Sequence, residues 1–155
     1  MALPVVYSAA MSNRDIDFLF VTRPPFDRLA VNTPANLSVV ALDFSEFKGI
    51  NPMWGVVRLL RKKYGVTEIV DIHDVLRTKL IRMTSALFGI RSAVIDKGRR
   101  DKRALTRPAN KIVKPLQTTV DRYRETFRRA AIDPGECFDS LFPGKKASPS
   151  MFGNV

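Results

Sequence analysis

Phe18-Leu19-Phe20-Val21 is an unbroken apolar run, with Asp17 before it and Thr22-Arg23-Pro24-Pro25 after it. A strand wetted on one face alternates apolar and polar side chains, so a run without alternation reads as a parallel strand covered on both faces. Parallel neighbours cannot be joined by a hairpin; they need a crossover, usually a helix. The rest of the chain has that alternation. Leu37 to Leu42, Glu68 to His73 and Ser92 to Ile95 read as further strands. Between them, a short helix runs from Phe26 to Ala30. A longer one is opened by Asn51 as N-cap and Pro52 in the first turn; Val56, Val57, Leu60 and Tyr64 form its buried stripe and Gly65 closes it. Asp74 opens another, with Leu76, Leu80, Met83 and Leu87 as its stripe and Gly89 at its end. A last helix starts near Pro115 and carries Leu116, Val120, Tyr123 and Phe127. The fold class is therefore α/β, a doubly wound, mostly parallel Rossmann-like sheet. Pro4 to Met11 reads as a helix with no strand ahead of it, so the first strand of such a sheet is expected to be missing from the front.

The 155 residues suit one domain, expected over 1–142, with the Pro-, Gly- and Ser-rich stretch 143–155 as a linker or disordered tail. No apolar run is long enough for a bilayer span, and the first residues lack the basic start and apolar stretch of a signal peptide, which predicts a cytoplasmic location. A single cysteine, Cys137, cannot form an internal disulfide, in keeping with a reducing compartment. The formal net charge of +11 calls for anionic partners: nucleic acid, phosphorylated sugars or an acidic membrane face.

Placement chooses among these. Open parallel sheets bind ligands beyond the carboxyl ends of their strands, and three segments fall there. Arg23 follows the first strand; Asp71 to Lys79 joins the third strand to its helix; Lys97 to Arg107 follows the fourth. His73 reads either as a donor to substrate or as an imidazole satisfied by backbone. Asp74 reads as a cap, and Arg77 either as an anion contact or as part of a solvated helix face. The Lys97 to Arg107 stretch sets six cations against one acid, Asp101. Arg99, Arg103 and Arg107 recur every four residues, one cationic ridge if helical, with Lys102 at its edge. Such a ridge repels itself unless an anion absorbs the charge. Aromatic residues do not interleave with these cations as a base-stacking platform requires, which places nucleic-acid binding second. No second histidine or cysteine lies at metal-ligand spacing, and no dinucleotide, Walker or Ser/His/Asp pattern occurs.

Asp71-Ile72-His73-Asp74-Val75-Leu76-Arg77-Thr78-Lys79 and Ala93-Val94-Ile95-Asp96-Lys97-Gly98-Arg99-Arg100-Asp101-Lys102-Arg103-Ala104-Leu105-Thr106-Arg107 resemble the family 9 glycosyltransferases, the ADP-heptose:lipopolysaccharide heptosyltransferases. Val5 to Ser8, Thr22-Arg23-Pro24 and Lys114 to Tyr123 add weaker likeness, so that the resemblance runs from about Pro4 to Pro143. It implies the acceptor-side half of a GT-B fold, acting on a Kdo-lipid A type inner core, with ADP-heptose as donor substrate and no cofactor or metal. A peripheral contact with the inner face of the inner membrane goes with that substrate. The family's first strand and the Gly-Asp loop that supplies its probable base would precede Met1, and its donor domain would follow Pro143. The resemblance therefore implies an enzyme, a heptosyltransferase, of which this chain holds no catalytic residue and is inactive alone. Arg23, His73, Asp74, Arg77, Lys97, Arg99, Arg103 and Arg107 are the expected acceptor contacts. Two rivals stand beside it: a small basic nucleic-acid-binding module without catalysis, and a non-catalytic sugar-binding partner of a separate donor-domain chain.

Overall fold

A computed structural model describes residues 2–47, 52–111 and 113–142. The expected tail over 143–155 and the expected N-cap Asn51 lie outside the described residues. Helix α1 spans Leu3–Ser12, β1 Phe18–Thr22, β2 Leu37–Ala41, α2 Pro52–Tyr64, β3 Glu68–Asp71, α3 Leu76–Leu87, β4 Arg91–Val94, α4 Arg99–Thr106 and α5 Thr119–Arg129; single 3-10 turns at Phe26–Leu29 and Phe44–Glu46 follow β1 and β2. The molecule is mixed α/β, and both of its strand pairings are parallel: β1 with β2 from Phe18 opposite Leu37, and β3 with β4 from Glu68 opposite Arg91. The strands form two separate two-stranded sheets. None of the described helices is long and apolar enough to cross a membrane.

Two apolar clusters hold the layers. On one face, Val5, Val6, Ala9 and Ala10 of α1 and Phe127 of α5 are buried together with Leu37; Phe18 and Phe20 of β1, Val70 of β3 and Ile72 pack against them. Alternation along the strand sends Leu19 and Val21 to the other face, where they meet Val56 and Leu60 of α2 and Ile81 of α3. The Asn36 side-chain amide donates to the carbonyls of Ala10, Asn13 and Ile16, which ties the end of α1 to the start of β1. The segment after α5 folds back on α1. Phe138 N–H donates to Ser8 Oγ and Asn32 donates to Leu141 C=O, and Phe138 and Leu141 join the α1 cluster.

Three sequence expectations need correction. The stripe expected to be buried on α3 faces water: Leu76 is 75%, Met83 69% and Leu87 77% exposed, while Thr84 and Ser85 are buried instead. The helix is rotated so that Arg82 reaches Asp71 and Asp74, and the small Ser85 permits close packing of its inner side. Asp74 does not cap this helix; Val75 precedes its first turn, and Thr78 Oγ1 accepts from the Val75 N–H. α5 starts at Thr119, not near Pro115. Thr118 caps it with Asp121 in a reciprocal box, and Val120 is exposed rather than in the core. β3 also stops two residues short of His73, for a reason that belongs to the site.

Candidate anion-binding site

Asp71 ends β3 because its carboxylate captures the backbone beyond it. Oδ1 accepts from the N–H groups of His73 (2.9 Å) and Asp74 (2.8 Å), turning the chain out of the sheet, and Asp74 takes a left-handed φ of 43°. Oδ2 of the buried Asp71 lies 3.2 Å from Arg82 Nε, and the Arg82 guanidinium also binds Asp74 Oδ1 at 3.2 Å. The Asp74 carboxylate is thus committed to cations: Arg82 on one oxygen and, at 3.9 Å, Arg99 on the other. Its backbone carbonyl accepts from Lys97 Nζ at 2.8 Å. Both acids are engaged by arginine side chains. They brace the turn after β3 against the cationic stretch after β4.

Beyond β4 the chain turns at Asp96-Lys97-Gly98. Asp96 Oδ1 accepts from the Gly98 N–H at 2.8 Å, and Gly98 has a φ of 59°, a conformation that favours glycine. Space imposes the same choice: a Cβ on Gly98 would lie 2.2 Å from Arg122 Nη2. Arg122 projects from the second turn of α5 and is only 7% exposed. Its Nη1 donates to Asp96 C=O at 3.0 Å and its Nε to Gln117 C=O at 3.3 Å. Nη2 is buried with no hydrogen-bond partner among the described residues. Two carbonyls therefore hold a guanidinium that, among the described residues, has no carboxylate at ion-pair distance, although its charge also acts on Asp101.

A hollow of about 450 Å³ opens at this point. The apolar side chains of Ile72, Ile95, Leu116 and Tyr123 line it, with Lys97, Lys102 and Arg122 as its cations, His73 beside them, and Thr118 and Thr119 at the start of α5. The hollow lies past the carboxyl ends of β3 and β4, the edge where a parallel sheet presents its ligands. Apolar walls, several hydroxyls and a few convergent cations are the ingredients for holding a small polar ring that bears negative charge. The Asp101 carboxyl makes no ion pair with the cations of the hollow, although the Arg122 charge acts on it. It pairs with Lys114 at 3.0 Å, and that hydrogen bond and charge hold it below the usual carboxylate range.

The predicted contacts divide. Lys97 and His73 line the hollow, and Asp74 and Arg99 adjoin it through their ion pair. Arg77 is elsewhere: its guanidinium lies 4.5 Å from the Phe44 ring centroid, over the turn that follows β2. Arg23 lies over Phe26 at 5.6 Å. Arg103 and Arg107 are exposed and line no part of the hollow. The residues not singled out from sequence are Lys102, Arg122 and Gly98. Lys102 appeared only as the edge of the ridge; it is exposed and reaches the hollow at its rim. A signal existed for Gly98, a glycine between a strand and a cationic helix. For Arg122 there was none, because it stands among four other cations from Lys114 to Arg129. No family model, curated protein or solved structure matches this chain.

Proposed function

We propose that this chain is the acceptor-binding domain of a glycosyltransferase, and that the hollow beside Gly98 takes an anionic sugar. The observation that carries this reading is the placement of Lys97, Lys102 and the buried Arg122, whose Nη2 has no hydrogen-bond partner among the described residues, around one apolar-walled hollow at the carboxyl edge of β3 and β4. The likeness of Asp71 to Lys79 and Ala93 to Arg107 to heptosyltransferases supports the finer assignment: half of a doubly wound GT-B fold that accepts Kdo or heptose of the lipopolysaccharide inner core, with ADP-heptose as donor. In that assignment Tyr123 and Leu116 would take the apolar face of the ring, Lys97 and Lys102 a carboxylate or phosphate, and Arg122 a second anionic oxygen. Among the described residues we assign no catalytic base and no donor site, so the chain by itself is expected to bind without transferring.

Calorimetric titration with a Kdo-containing inner-core oligosaccharide tests this. Replacing both Lys97 and Lys102 by Ala is expected to weaken binding at least ~10-fold, as loss of two charge-assisted contacts does. Unchanged affinity would remove the site. Duplex DNA supplies the competing outcome: binding that is tighter than to the sugar and falls steeply with salt would favour a nucleic-acid module instead.

A further inference from the structure

The apolar side chains that α3 turns outward fall in register. Leu76, Leu80, Met83 and Leu87 stand four, three and four residues apart, and all are exposed. Single exposed apolar residues are ordinary on a surface, but a line of them along one side of a helix forms a continuous stripe. Those steps are the heptad spacing, with Leu76 and Met83 in one seam position and Leu80 and Leu87 in the other. A helix that packs on a core needs a broader apolar face; a seam between two helices needs no more than this. The outward orientation is fixed from within. Ile81 and Ser85 pack on the inner side of α3, and Arg82 holds Asp71 and Asp74 at 3.2 Å each.

The borders of the stripe are cationic. The heptad positions beside the seam hold Arg77 on one flank and Lys79 on the other, both exposed. At the far end, Phe88 follows Leu87 and is covered from α2. Arg61 donates to Phe88 C=O and lies 5.8 Å from its ring centroid, and the Trp54 ring packs on it at 4.6 Å. Neither α2 nor α3 contains an Asp or Glu, and α2 adds the exposed Arg58, Lys62 and Lys63. A second copy of the chain would therefore set cation against cation across the seam, on top of a formal net charge of +11 on each molecule. An acidic flank meets the opposite sign along the whole stripe.

We infer that the outward face of α3 is a docking surface for one acidic amphipathic helix of a partner protein, apolar at heptad spacing and carrying Glu or Asp beside its seam. The twelve residues of α3 give the contact a length of ~18 Å, about three turns of the partner. Leu80 and Met83 form its centre, Arg77 and Lys79 select charge at one end, and Arg61 does so at the other. The surface shares no residue with the anion-binding hollow and stands or falls separately from it.

The probe is a synthetic peptide of about three heptads, with Leu at both seam positions and Glu on both flanks. Repulsion between its own flanks keeps it from pairing with itself. It is titrated into the full chain, with Trp54, the one tryptophan, as the fluorescent reporter beside the stripe. The expected result is a saturable change in emission, with affinity at least ~10-fold above that of a peptide of the same composition whose Leu spacing is scrambled. Met83→Asp places an acid in the exposed seam and is expected to weaken binding at least ~10-fold. Lys79→Glu is expected to lose affinity for the Glu peptide and gain it for a Lys-flanked one, a gain that an unfolded protein does not show. No saturable binding, equal affinity for the scrambled peptide, or an unchanged charge preference in Lys79→Glu would each overturn the surface. Self-association of the chain that Met83→Asp abolishes would give the face to a second copy instead. Binding to phosphatidylglycerol vesicles that is tighter than to the peptide and lost in Met83→Asp would give it to a membrane.

Discussion

Two groups of cations lie within one short stretch of the fold, and they differ in whether they line the hollow and in that one of them includes a buried arginine. Lys97, Lys102 and Arg122 line the hollow; Arg99, Arg103 and Arg107 lie along the outside of α4 and its end, Arg99 with a 67% exposed side chain. Charge and spacing do not separate them. Position does: Gly98 turns the chain so that the first turn of α4 faces α5, and α5 places Arg122 beneath that turn, where a side chain on residue 98 would collide with it. A surface cation is solvated and screened and costs little wherever it points. A buried one must be held by fixed acceptors, and it keeps its field for whatever enters the hollow. Equal substitutions in the two groups should therefore have unequal effects.

The largest effect is expected at Arg122. Arg122→Ala removes both carbonyl contacts and empties a buried position, which should destabilise the fold by about 3 kcal/mol in urea unfolding. Arg103→Ala should change stability by no more than about 0.5 kcal/mol. Equal losses would erase the distinction between the groups. Next comes Gly98→Ala, expected to cost about 1–3 kcal/mol because it combines a left-handed backbone with a collision against the guanidinium. That cost should fall in an Arg122→Ala background. A double-mutant cycle reads the coupling, and simple additivity would mean that Gly98 and Arg122 do not oppose each other.

A smaller effect sharpens the comparison where the hollow meets α5. Thr118→Ala removes the cap and should lower the melting temperature by a few degrees. The Asp121 carboxyl is held below its usual range first by the Thr118 side-chain hydrogen bond. A depressed folded value means stability that is present above the unfolded value and fades as pH falls through the folded one. Acid titration of the melting temperature should therefore be shallower in Thr118→Ala than in the parent; identical slopes would show that the cap does not carry this linkage.

Much of the layered fold was legible in sequence, because apolar runs such as Phe18 to Val21 and the α2 stripe at Val56, Val57 and Leu60 record burial directly. The strand pairs appear where those runs were found. α3 was misread because periodicity reveals a stripe but not the direction it faces. Leu76, Leu80, Met83 and Leu87 do lie on one side, but the Arg82 ion pairs with Asp71 and Asp74 turn that side to water. Which strands pair is likewise non-local, so the break between β1 and β3 could be suspected only from the unaccompanied first helix. At the site, Lys97 and His73 could be read because they follow strands immediately. Arg122 could not: its environment is made by Asp96 and Gly98, more than twenty residues away in the chain.

The most direct test of the central claim is an amide-resolved NMR titration of the chain with the Kdo oligosaccharide. The account predicts saturable shifts concentrated at His73, Lys97, Gly98, Lys102 and Arg122, with Arg103 and Arg107 essentially still. Shifts gathered along Arg99, Arg103 and Arg107 with the hollow unmoved, or no saturable shift anywhere, would contradict it.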